Sequence, residues 1–132
     1  MARFTSSFKA SNAGDLADAI NDFLATLTDP TIRCVEYSLV RSDGRIGDEY
    51  SAIIRYDSGG AALATQFFVR IDEASVLSTA NTALQAFLTA NAAYFVGGTR
   101  LQMVDGEQTF RKFSLLTMYN ATGGASANYS AL

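Results

Sequence analysis

Tyr50-Ser51-Ala52-Ile53-Ile54-Arg55-Tyr56-Asp57 and Phe113-Ser114-Leu115-Leu116-Thr117-Met118-Tyr119-Asn120 lie about 63 residues apart, and each places an aromatic ring at its first and seventh positions. Reading outward from them, the same order of signals appears twice. The turn Asp43-Gly44 answers Asp105-Gly106, the helical stretch with Phe23-Leu24 answers that with Phe87-Leu88, and Phe4 to Ser11 answers Phe67 to Ala74. The chain is therefore expected to be a tandem duplication of a strand-helix-hairpin unit.

Local patterns define each element. In Arg3 to Lys9, Phe4, Ser6 and Phe8 share one side of a short strand. Asn12 offers a helix-capping acceptor, with Asp15 in the first turn where a carboxylate complements the helix dipole. Leu16, Ile20, Phe23 and Leu27 draw one apolar stripe, with Asp18, Asn21 and Asp22 away from it, and Pro30 closes the segment. From Ile32 to Ser42, Val35, Tyr37 and Leu39 alternate with Cys34, Glu36 and Ser38. Ser42-Asp43-Gly44-Arg45 then signals a hairpin, because glycine tolerates the positive φ of tight turns.

The second unit opens with a strand from Thr65 to Asp72 and a helix from about Glu73 to Asn91. Asp72-Glu73 reads as acidic residues at that helix's N-terminus. The helix stripe is Val76, Ala80, Leu84, Phe87 and Leu88, and its polar face of Ser78, Thr79, Thr82 and Gln85 is almost without charge. Gly97-Gly98 marks a bulge or bend before the second hairpin returns along Phe110 to Tyr119. Ser58-Gly59-Gly60-Ala61-Ala62 is the expected joint between units, and 121–132 the expected flexible tail.

These elements predict an α+β fold built of tandem duplicated β-α-β-β units: a mainly antiparallel sheet of about six strands with two helices on one face. Residues 1–132 are expected to form a single domain of two pseudo-repeats, about 3–58 and 66–120. On the face away from the helices, the first unit presents Cys34, Glu36, Arg55 and Asp57, whereas the second presents Leu116 and Met118. That imbalance predicts that another chain buries part of the face.

Composition narrows the chemistry. Among 132 residues there is no histidine and one cysteine, which removes His-based triads and makes a zinc site improbable. Cys34 lies in an apolar alternating stretch and reads as a small buried hydrophobe. Ten basic against thirteen acidic residues, with lysine only at Lys9 and Lys112, argue against a nucleic-acid footprint. No window approaches the roughly 18 apolar residues of a membrane span, and Met1 to Ser6 lack the apolar run of a secretory signal, so folding is expected in a reducing cytosol.

The acidic group Asp43, Asp48 and Glu49, with Arg45 beside it, is the best catalytic or cation-binding candidate. Turn formation and solvation explain it more simply, so no catalytic, cofactor or metal residue is assigned. The charged fraction of 17% is low and favours association. Tyr37, Tyr56, Leu116, Met118, Tyr119 and Tyr129 are the candidate interface residues, since aromatic bodies with a polar tip suit protein contacts.

Asp15 to Leu24, Ile32 to Leu39 and Tyr50 to Ile54 together resemble the small sporulation-associated proteins of Firmicutes that also occur in phage genomes. Those proteins are single units of obscure function, so the second copy and the tail depart from them and no site residue carries over. The strand-helix-hairpin order is also similar to that of dodecins, without a residue-level match. The low charge, the nearly uncharged face of the second helix and a small-residue tail suited to lying on a neighbour favour a non-enzymatic, self-assembling structural protein: a phage-type virion component such as a capsid decoration or minor head or tail subunit. Its partners would be further copies or other subunits of a particle, and its location the virion, or the cytoplasm if it is not phage-encoded. The alternative is a small-molecule binding module whose pseudo-symmetric pocket is lined by Tyr37, Tyr56 and Tyr119.

Overall fold

The computed structural model describes residues 3–27, 30–41, 48–57, 67–106 and 109–121. Its order is β1 (Arg3–Ala10), α1 (Ala13–Leu24), β2 (Thr31–Arg41), β3 (Asp48–Asp57), β4 (Phe67–Ala74), α2 (Leu77–Ala90), β5 (Phe95–Gly106) and β6 (Thr109–Asn120). This is the expected α+β class. The strands form two antiparallel sheets of three, β1-β3-β2 and β4-β6-β5, rather than one sheet of six.

Local chemistry explains the elements. The Asn12 side chain accepts from the Asp15 N–H at 2.8 Å and caps α1, whose Leu16, Ile20 and Leu24 are buried. Each of those three stabilises the fold by about 1.5–3 kcal/mol through removal from water. A one-residue bulge interrupts β2 after Ile32, and another interrupts β5 after Val96 at the Gly97-Gly98 pair. Helix α2 begins later than expected, at Leu77, with Val76 as an uncapped N-terminal residue. Asp72 and Glu73 consequently belong to β4: Asp72 pairs with Arg70, and Glu73 accepts from Tyr50. Continuation of the β4 ladder through both residues, with the strand neighbour Arg70 paired to Asp72 and the distant Tyr50 donating to Glu73, outweighs the helix-dipole preference that their position suggested. Gly106 likewise remains in strand β5, paired with Thr109.

The two halves correspond closely, with one correction of register. Phe4 stacks on Tyr56, which meets Phe23 edge-on; Phe68 stacks on Tyr119, which meets Phe87 edge-on. Phe4 is thus the counterpart of Phe68, one residue beyond the Phe67 that sequence alignment selects. The ladders agree, since Phe4 pairs with Tyr56 and Phe68 with Tyr119. Even the ion pair beside the hairpin recurs with its signs exchanged, Arg41 with Asp48 in one half and Asp105 with Arg111 in the other.

The halves stack in series. One core joins the helix side of the first sheet, including Val35, Tyr37, Leu39 and Ile54, to the face of the second sheet that carries Phe67, Val69, Leu116 and Met118. Helix α1 touches its own sheet and also β4, while α2 covers only the far side of the second sheet, around Leu115. The two helices therefore lie on opposite sides of the second sheet, not on one face of a common sheet. Phe4 lies at the rim and is 45% exposed, while Phe67 is fully in the core.

Candidate functional site

The seam between the halves concentrates the protein's polar long-range contacts. At the outer edge of β4, the Asn21 side chain accepts from the Val69 N–H (2.7 Å) and donates to the Val69 carbonyl (3.2 Å), so one amide stands in for a neighbouring strand. Where β2 meets β5, the Arg100 guanidinium donates to the Val35 carbonyl (2.9 Å), and the Gln102 side-chain oxygen accepts from the Leu39 N–H (3.4 Å). Deeper in, the Tyr37 hydroxyl and Ser114 Oγ share a buried hydrogen bond of 2.7 Å. Burial, more than any charge, pushes the Tyr37 hydroxyl above its ordinary pKa.

At the hairpin end, Lys112 Nζ donates to Asp48 Oδ2 (2.7 Å) and to the Tyr50 hydroxyl (3.0 Å), and that hydroxyl donates to Glu73 Oε2 (2.6 Å). Arg41 Nε donates to Asp48 Oδ1 (2.9 Å). These hydrogen bonds from Arg41 and Lys112 hold the Asp48 carboxyl below its usual value against the opposing effect of burial. Burial and the bond to Glu73 push Tyr50 up to about 12. The network balances two cations against two carboxylates and locks the halves together.

The residues singled out in the sequence fall in three places. Leu116 and Met118 are fully buried, and Tyr37 and Tyr56 nearly so. The cover expected from another chain comes instead from the chain's own first half, because the sheets stack in series. Tyr119 is half-buried beneath α2 against Phe87, Phe68 and Tyr94, on the opposite side of the second sheet from Tyr37 and Ser114. The three tyrosines therefore do not line one pocket. Asp43, Arg45, the Gly59-Gly60 joint and the tail with Tyr129 lie outside the described residues.

Asp48 is held by two cations, and Glu49 pairs with Lys9 at 3.2 Å, so these two carboxylates are engaged in ion pairs. Cys34 is half-exposed rather than buried, its thiol 3.3 Å from Glu36 Oε1, because no element among the described residues covers its side of the first sheet. Among the described residues, no group of three or more metal-ligating side chains is placed to hold an ion, and no helix is long and apolar enough to cross a membrane.

Two outer surfaces remain. The side of the first sheet away from α1 exposes Val40 and Ile53, and the side of the second sheet shared with α2 exposes Leu101 and Met103. Val76 and Leu77 are exposed at the start of α2. Asn21 and the Lys112 network, which build the seam, carried no local signal in the sequence, since their partners lie tens of residues away. Comparison of the chain with family models, curated proteins and solved structures finds no match.

Proposed function

We propose that this protein is a non-enzymatic, self-assembling structural subunit, a phage-type virion component such as a capsid decoration or a minor head or tail protein. The observation that carries the reading is the placement of large apolar side chains on both outer sheet faces: Val40 and Ile53 on one, Leu101 and Met103 on the other. Such residues on opposite ends of a small domain suit contact with protein neighbours. The low charged fraction and the uncharged face of α2 point the same way. Sedimentation velocity of the purified protein over a hundredfold concentration range tests it. Mass that grows with concentration, or a closed oligomer, is expected; a monomer throughout, which also fails to join any particle of its source, would overturn the reading.

A further inference from the structure

The internal seam has two sides, and each has an unoccupied counterpart on the outside of the molecule. On its first side, Tyr37 and Leu39 of β2 are buried against the second half; the ladder register makes Leu101 and Met103 of β5 their counterparts. On its second side, Val104 and Leu116 are buried against the first half; their counterparts are Val40 and Ile53. The four seam residues are 0–7% exposed, and the four counterparts are 48–56% exposed. These counterparts are four of the seven large apolar side chains exposed among the described residues.

Charge follows the same correspondence. Within the seam, Lys112 of the second half meets Asp48 of the first. The counterpart of Lys112 is Glu49, opposite Val40 as Lys112 is opposite Val104, and the counterpart of Asp48 is Arg111. Both counterparts are exposed, with opposite signs to those they replace, so a repeated seam would again join a cation to a carboxylate. At the helix, Gln85 stands in the place of Asn21, and Thr5 of the open edge strand β1 in the place of Val69.

We propose that copies of this chain associate head to tail by repeating the internal seam: the Leu101–Met103 face of one copy docks on the Val40–Ile53 face of the next, with Arg111 of the first beside Glu49 of the second. This deepens the self-assembly reading and rests on it. The contact is heterologous, so the product is a ring where the rotation closes and a filament where it does not. Where the second half contributes Phe67, Val69 and Ile71 to the seam, the first offers Arg3, Thr5 and Ser7. The intermolecular contact is accordingly smaller and more polar than the internal one, and it is expected to be reversible and concentration dependent.

Two singly blocked proteins test this, Leu101→Arg/Met103→Arg and Val40→Arg/Ile53→Arg, each checked for wild-type circular dichroism. Wild type assembles; each blocked protein alone stays monomeric, because one face of every contact is missing. An equimolar mixture recovers one intact contact per pair and doubles in mass to a heterodimer without growing further. Arg111→Glu and Glu49→Arg each weaken wild-type assembly at least severalfold, and their combination in one chain restores it, which keeps the test independent of the apolar variants. Assembly of wild type with blocked proteins that still assemble alone would overturn the head-to-tail contact while sparing the self-assembly reading. A wild-type monomer at every concentration would overturn both.

Discussion

The amide of Asn21 in α1 bonds both the N–H and the carbonyl of Val69, satisfying the outer edge of β4 from a helix that belongs to the other half of the chain. An open strand edge is otherwise a template for unwanted pairing, and here one side chain closes it at the point where the halves meet. Asn21→Ala leaves two part-buried backbone groups unpaired and should cost about 1–3 kcal/mol in urea unfolding. Gln85→Ala, at the exposed counterpart, should change dilute-protein stability by less than about 0.5 kcal/mol. Equal effects at the two positions would refute the role assigned to Asn21.

Tyr37 and Ser114 make a second coupling across the seam. Tyr37→Phe strands the buried Ser114 hydroxyl and is expected to destabilise by about 1–3 kcal/mol, whereas Tyr37→Phe with Ser114→Ala should recover much of that loss. Strict additivity in the double-mutant cycle would show that the two hydroxyls do not interact.

Series stacking of the sheets predicts unequal costs at equivalent positions. Leu116→Ala should cost about 2–5 kcal/mol even in dilute monomer, because the first half of the same chain covers it. Ile53→Ala, its counterpart on the bare face, should shift dilute stability by no more than about 0.5 kcal/mol. Thermal melts at low concentration, where association is suppressed, make the comparison.

Acid and alkali should each release part of the seam. Because Asp48 titrates below its unfolded value, the unfolded chain binds the proton first on acidification, so its contribution is complete above the ordinary carboxylate range and falls away as pH drops through the folded value. Tyr50 is displaced the other way: its contribution is complete below its ordinary value and is lost as pH rises from 10 to about 12. Urea midpoints against pH should fall at both ends, with Asp48→Asn flattening the acid limb and Tyr50→Phe the alkaline one. An acid limb unchanged in Asp48→Asn would contradict the first assignment.

Much of the fold was written in local pattern. The Asn12 cap, the Leu16 and Ile20 positions of the α1 stripe, the irregularity at Gly97-Gly98 and the alternation of β3 and β6 each follow from short-range chemistry and occur where the residues indicate. Helix α1 ends at Leu24, however, so Leu24 and not Leu27 completes its buried stripe. Register in β4 was not legible, since Phe67 and Phe68 are both aromatic and only contact with Tyr119 distinguishes them. Asp72-Glu73 shows the limit of a local cue: proximity to a helix start suggests capping, whereas β4 runs through both residues, Asp72 pairing with Arg70 on the same strand and Glu73 with the distant Tyr50. Leu116 and Met118 are apolar enough to demand cover, but periodicity does not tell which layer supplies it, and the chain's own first half does so in place of the second chain expected. The seam network joins residues as far apart as Asp48 and Lys112, and nothing near either one announces the other.

The most direct test of the account is a cryo-electron microscopy structure of the assembled protein. The account predicts Leu101 and Met103 of one copy packed on Val40 and Ile53 of the next, with neighbouring copies related as the two halves of one chain are. An assembly in which these four side chains remain in solvent would contradict it.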